Sequence, residues 1–115
     1  MYRLEELDVF QLALQFSNEV WGLAASWDRF ARQHPGTQFI EAADSISANI
    51  AEGYGRFYVR DNIKFCYYAR GSLMECKDWL RKSADRELIS KDDFDRLYLK
   101  LADTRETQRI YTAPA

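Results

Sequence analysis

Four stretches of this chain carry apolar side chains at alternating steps of three and four residues, and this spacing constrains the fold more than any other feature. A stripe of this kind lies on one face of an α-helix. The spacing predicts helices over residues 5–30, 37–56, 61–87 and 90–111. The first stripe consists of Leu7, Phe10, Leu14, Ser17, Trp21 and Ala24. No stretch shows the two-residue alternation of a half-buried strand, so the sequence predicts an all-α protein.

Short connections separate these stretches. His34-Pro35-Gly36 interrupts the pattern after the first helix, Gly55 marks the end of the second, and Ser90 offers a side-chain cap for the fourth. Helices joined this closely pack as antiparallel neighbours, which predicts an up-down-up-down four-helix bundle. A chain of 115 residues fits one domain, and we expect residues 1–115 to form it.

Hydropathy, charge and cysteine spacing indicate the cellular location of the protein. No apolar run approaches the roughly 20 residues that cross a bilayer, so no membrane association is expected. The first residues are acidic and lack the pattern of a signal peptide, which predicts a cytoplasmic location. Cys66 and Cys76 lie about 15 Å apart along one predicted helix, too far for a disulfide, so we expect both thiols to be reduced and buried.

The segment from Ser45 to Arg56, SISANIAEGYGR, places three polar residues among apolar ones, and ARGSLME follows at Ala69–Glu75. Together these motifs resemble the signature of a small bacterial family named after proteins encoded in intervening sequences of 23S ribosomal RNA genes. Accessory proteins of diversity-generating retroelements share its fold. The resemblance implies a four-helix bundle that assembles as a homopentamer, and it implies no particular chemistry.

The polar residues of these motifs form the first candidate site. Glu52 and Arg56 have the i,i+4 spacing of a helical ion pair, and Asn49 and Glu75 complete a predicted polar cluster where the second and third helices cross. Because buried polar groups need partners, we interpret the cluster as structural, setting helix register or assembly. Gly53 and Gly71 each weaken a helix, so both predict close backbone approach.

A second candidate site combines cations with aromatic rings, as nucleic-acid-binding surfaces do. It consists of Arg56, Phe57, Tyr58, Arg60 and Lys64. Residues 1–55 hold three basic and eight acidic side chains, a net of −5, while residues 56–115 hold thirteen and ten, a net of +3. Relatives of the retroelement type are strongly basic, which suits an RNA or reverse-transcriptase partner. This chain has a net charge of −2, so nucleic acid is the alternative and not the favoured partner.

The residue inventory argues against catalysis. The chain has one histidine, no Glu-x-x-His pair and two widely spaced cysteines, so neither a metal centre nor a nucleophile–base pair is expected, and no cofactor is predicted. Aromatic residues make up 15% of the chain, more than one small bundle is expected to bury. We therefore expect a non-catalytic homo-oligomeric scaffold or adaptor that binds itself and an unidentified protein partner.

Overall fold

The computed structural model describes the backbone of residues 3–112 and the side chains of residues 3–108. Four long helices make up most of the described chain, and no strand occurs among its residues. They are α1 (Asp8–Ala25), α2 (Thr37–Tyr54), α3 (Val59–Asp85) and α4 (Lys91–Thr112). Each helix packs on the next, and α4 returns to α1. The prediction of an all-α, up-down-up-down four-helix bundle is confirmed.

The dimensions follow from the longest helix. The 27 residues of α3 rise about 40 Å at 1.5 Å per residue, close to the 44 Å long axis of the molecule. The other two extents, 22 and 20 Å, correspond to two helix diameters. No helix in residues 3–112 has the length and apolar character needed to cross a membrane.

The first helix ends earlier than the sequence predicts. It was expected to continue to residue 30, but α1 ends at Ala25. The Asp28 side chain accepts a hydrogen bond of 2.9 Å from the Ala31 backbone N–H and thereby starts a new helical turn, Arg29–Ala31. A wider turn at Arg32–Gly36 follows, in which His34 has a non-helical backbone. Capping by Asp28 therefore breaks the helix before the Pro-Gly signal does.

The ends of the other three helices lie within two residues of the predicted bounds. The second helix ends at Tyr54 and not at residue 56, and α3 spans Val59–Asp85 where residues 61–87 were expected. Beyond the end of α3, Glu87 adopts a left-handed backbone with φ of 60°. At the start of α4, the Ser90 hydroxyl accepts a 3.0 Å hydrogen bond from the Asp93 N–H, so the predicted cap is confirmed.

The bundle core is built from medium and small side chains on all four helices. Phe16 of α1 packs against Phe39 of α2 with ring centroids 6.3 Å apart, while Leu73 of α3 and Leu101 of α4 are fully buried. Only three aromatic residues among residues 3–108 reach full burial, namely Phe16, Trp27 and Phe39. Most aromatic side chains among the described residues therefore lie outside the core.

Gly53 and Gly71 differ in how closely the rest of the described chain approaches them. A Cβ atom on Gly53 would lie 2.9 Å from the Phe65 Cβ and 3.2 Å from the Asn62 carbonyl oxygen, which confirms close approach of α2 and α3 at this point. A Cβ on Gly71 would meet nothing within 4 Å. The same prediction is wrong for Gly71, because this residue lies on the outer face of α3 and no described part of the chain approaches it.

Polar side chains join the helices at defined places. The Ser17 hydroxyl of α1 donates to the Asp44 carboxylate of α2. On the other side of α1, Glu19 forms ion pairs with Arg96 at 3.5 Å and Lys100 at 3.4 Å, both on α4. These contacts fix the position of α1 against both of its neighbours.

The polar residues near the end of α4 are buried. In the sequence, the stripe of the fourth helix turns polar at Thr104 and Gln108, which predicts that its last two turns fray or contact a partner. In the structure, Gln108 is only 3% exposed and Thr104 is 1% exposed. Thr104 donates to the Lys100 carbonyl of its own helix at 2.8 Å, and the Gln108 side-chain amide donates to the Cys66 carbonyl of α3. The Gln108 hydrogen bond therefore joins α4 to α3 within the chain.

Candidate functional site

The predicted ion pair between Glu52 and Arg56 forms at the end of α2. The two side chains approach to 2.6 Å, with Arg56 donating. Their side chains remain 53% and 45% exposed, respectively, so the pair lies on the surface and not in a buried crossing. The expectation that burial forces these groups to find partners does not hold here.

The other two members of the predicted polar cluster do not join this pair. The Asn49 side-chain amide donates to the Ser45 carbonyl of its own helix at 2.8 Å. Glu75 is exposed, and it forms no hydrogen bond or ion pair with any residue whose side chain the structure describes. The four residues therefore do not form one hydrogen-bonded network.

Arg56 is also the first member of a continuous array of cations and aromatic rings. Its guanidinium lies 4.8 Å from the Phe65 ring centroid, and Phe65 meets Tyr68 edge to face at 5.4 Å. Lys64 lies 5.8 Å from the Tyr68 ring. We call Glu52, Arg56, Lys64, Phe65 and Tyr68 the cation–aromatic array.

The rest of the predicted cation–aromatic site lies at the connection between α2 and α3. Phe57 and Tyr58 pack edge to face at 5.1 Å, and Arg60 lies 5.8 Å from the Tyr58 ring. Phe57 is 91% exposed. The structure thus pairs each of the three predicted cations with an aromatic ring, which is the arrangement that holds a cation near a stacking surface.

Sequence reasoning missed Phe65 and Tyr68 as members of this surface. In the sequence, Phe65 shares helical spacing with Ala69 and Cys76, which predicts a second core-facing seam of the third helix. Helical spacing identifies a shared face but not the direction in which that face points. The spacing of Lys64 and Tyr68, four residues apart on one helix, was the available signal.

Exposure of the Glu52–Arg56 pair changes the expected effect of a substitution. If the pair were buried, as the sequence predicts, Glu52→Ala would leave a buried group unpaired and cost about 1–3 kcal/mol of unfolding free energy. For the exposed i,i+4 pair we expect a loss of about 0.3–0.5 kcal/mol. Denaturant unfolding at fixed protein concentration measures the difference. A loss above 2 kcal/mol, with Glu41→Ala on the same helix as control, would show that the pair is covered by another molecule.

The two cysteines are the candidate nucleophiles of the chain, and their environment determines their protonation. Burial raises the pKa of the Cys66 thiol, and burial together with the charges of Glu75 and Asp44 raises the pKa of Cys76. Both thiols are unpaired and stay protonated near neutral pH. Within residues 3–108, no group of three His, Cys, Asp or Glu side chains is placed to hold a metal ion.

Four antiparallel helices in chain order, with the polar signature on the outer surface of α2 and α3, place this protein among the simple up-down-up-down bundles. The chain belongs to the family of 23S rRNA-intervening sequence proteins, whose family model matches residues 5–109. A crystal structure of a protein of unknown function from the S23 ribosomal protein family of Bacteroides thetaiotaomicron is similar, with a TM-score of 0.83 at 19% identity. The similarity covers 91% of this chain and 96% of that one, and it shows the shared fold. No curated protein matches this chain in sequence.

Proposed function

We propose that this protein is a non-catalytic, cytoplasmic scaffold or adaptor that assembles from identical copies, with five in a ring. One observation carries the proposal: large apolar and aromatic side chains remain exposed on several sides of the bundle. Examples are Trp21 of α1 at 61%, Phe57 at the α2–α3 connection, Met74 of α3 and Leu99 of α4. Exposed aromatic surface of this extent is typical of protein–protein contacts.

The distribution of these side chains suits a closed ring better than a dimer. In a ring, each subunit contacts its two neighbours through two different surfaces, whereas a two-fold dimer uses one surface twice. Apolar groups stand on α1, on the α2–α3 connection, on α3 and on α4, so two distinct surfaces are present. The resemblance to the pentameric family supplies the number five. The buried, unpaired cysteines are consistent with the reducing cytoplasm.

Light scattering during gel filtration tests the assembly. We expect a mass about five times the 13.5 kDa of one chain. Trp21→Glu should lower the mass, because it places a charge on an apolar contact surface. Gln15→Glu adds the same charge to α1 about a third of a turn away and should leave the mass unchanged. A wild-type mass of one chain would refute the assembly.

Nucleic-acid binding is the second candidate, favoured by the pairing of Arg56, Arg60 and Lys64 with aromatic rings. An accessory role beside RNA, DNA or a reverse transcriptase would use this surface. Against it, three cations displace only about three counterions, which gives weak and salt-sensitive binding unless a ring repeats the surface. Arg56 is also neutralised by Glu52.

Fluorescence anisotropy with labelled single-stranded RNA and DNA decides between the two functions. We expect little binding near ~150 mM salt. Submicromolar affinity, lost when Arg56, Arg60 and Lys64 are replaced by glutamate while the oligomer mass stays the same, would make nucleic-acid binding the main function. Replacing Arg29 and Arg32 with glutamate provides the matched control, since both lie outside the array.

A further inference from the structure

A cavity of about 360 Å³ opens between α3 and α4, and its lining includes no residue of the cation–aromatic array. Two fully buried leucines, Leu73 and Leu101, line it as an apolar floor. Arg70, Lys77 and Arg105 also line it. This volume lies at the lower end of the range of small-molecule sites, roughly 300–1,000 Å³, so the cavity accommodates one compact ligand.

The cations around this cavity lack carboxylate partners. Elsewhere on the bundle, basic side chains commonly form ion pairs, such as Lys82 with Asp78 at 2.7 Å and Lys91 with Asp95 at 3.0 Å. None of the three cations at the cavity forms an ion pair with a residue whose side chain is described. Among the residues whose side chains the structure describes, Glu106 is the single acidic one in the lining, which gives these lining residues a formal charge of +2 in a chain whose net charge is −2.

Two tyrosines complete the lining and differ in their contacts. Tyr98 is already engaged, because Phe94 stacks beside it at 5.7 Å and the Lys77 ammonium lies 5.1 Å from its ring centroid. Tyr67 is 56% exposed and has neither a ring nor a cation as a partner in the described part of the chain. An unpartnered aromatic ring beside unpaired arginines provides a stacking surface next to an anion-binding one.

We propose that the cavity between α3 and α4 binds a single nucleotide, with its base against Tyr67 and its phosphate held by Arg70 and Arg105. Arginine suits this role because its planar fork of N–H groups binds phosphate oxygens in pairs. Lys77 adds positive charge to the lining, and the leucine floor accommodates the apolar part of the ligand. This inference is independent of the scaffold function, since the cavity lies within one chain.

The nucleotide has two possible sources, a free mononucleotide or the phosphorylated end of an RNA strand. The same chemistry recognises both, because each presents a base and a terminal phosphate. The volume corresponds to that of one nucleotide, so we expect one base and one phosphate group to occupy the cavity. Internal segments of RNA are therefore not expected to bind here.

Isothermal titration calorimetry of the full chain in a phosphate-free buffer tests the site. The ligands are AMP, UMP, adenosine, inorganic phosphate, and a trinucleotide with or without a 5′ phosphate. We expect the mononucleotides to bind at least roughly tenfold more tightly than adenosine or phosphate, because only they engage both halves of the site. Higher affinity for the 5′-phosphorylated trinucleotide than for AMP would support the site and assign it to strand ends.

Four variants locate the binding. Arg70→Gln and Arg105→Gln should each weaken AMP binding roughly tenfold, through lost charge-assisted hydrogen bonds. Tyr67→Ala should weaken AMP but not inorganic phosphate. Arg29→Gln removes an exposed, unpaired cation that does not line the cavity and should change nothing. Circular dichroism of each variant verifies that the fold is intact.

Several results would overturn the proposal. One is the absence of saturable heat with any nucleotide at millimolar concentration. Another is equal affinity for phosphate and AMP together with no effect of Tyr67→Ala, which would describe a simple anion site. A third is a change of oligomer mass in Arg70→Gln without nucleotide binding by the wild type, which would assign these cations to a contact between copies. The last outcome would contradict the nucleotide site but not the scaffold function. A monomeric protein that binds AMP would contradict the scaffold function but not the nucleotide site.

Discussion

Gly53→Ala should destabilise the protein by about 1–2 kcal/mol, while Gly71→Ala should stabilise it by up to about 1 kcal/mol. At Gly53 the new Cβ would lie 2.9 Å from the Phe65 Cβ and 3.2 Å from the Asn62 carbonyl oxygen. Neither is the end of a flexible side chain, so α2 and α3 must separate slightly. At Gly71 the new Cβ meets nothing within 4 Å, and alanine is the better helix former.

Denaturant unfolding of both variants at one protein concentration measures the two effects. Holding the concentration constant is necessary because assembly adds to apparent stability. Gly22→Ala is the matched control, since a Cβ there also meets nothing within 4 Å. If Gly71→Ala destabilises while Gly22→Ala stabilises, another copy of the chain covers the Gly71 face. If neither Gly53→Ala nor the bulkier Gly53→Val destabilised the protein, the close approach of α2 and α3 would be contradicted.

Two buried serines should respond in opposite directions to the same substitution. The hydroxyl of Ser83 is fully buried and has no hydrogen-bond partner in the described part of the chain. Removing it in Ser83→Ala eliminates an unsatisfied polar group and improves helix propensity, so we expect a gain of about 1 kcal/mol or more. The hydroxyl of Ser17 donates to the Asp44 carboxylate across α1 and α2. Its loss in Ser17→Ala should cost about 1 kcal/mol, after allowance for the helix propensity of alanine.

The two alanine variants can be compared directly because both positions are buried and helical. Thermal unfolding should place Ser83→Ala above the wild type and Ser17→Ala below it. Asp44→Asn provides a check on the second effect, because it keeps a hydrogen-bond acceptor and removes the charge. Destabilisation by Ser83→Ala would mean that the hydroxyl has a partner in the assembled protein, and an unchanged Ser17→Ala would show that the contact with Asp44 adds no stability.

Local features of the structure followed from the sequence alone. The three- and four-residue spacing of apolar side chains depends only on the geometry of a single helix, so it located four helices to within a few residues. Ser90 was identified as a cap because its hydroxyl reaches a backbone N–H three residues away. The i,i+4 pair of Glu52 and Arg56 was also local, and its 2.6 Å contact forms as the spacing indicated.

Burial depends on which neighbour each helix face meets, and only the tertiary structure decided it. Spacing alone placed Glu52 and Arg56 at a buried crossing, whereas the packing of α2 against α3 leaves them exposed. The end of α4 was expected to fray or to contact a partner, yet α3 provides the Cys66 carbonyl that accepts a hydrogen bond from Gln108. The cavity between α3 and α4 likewise combines Arg70 with Arg105, which are far apart in the chain. A periodic pattern determines which residues share a face, but contacts between helices determine whether that face is core, surface or site.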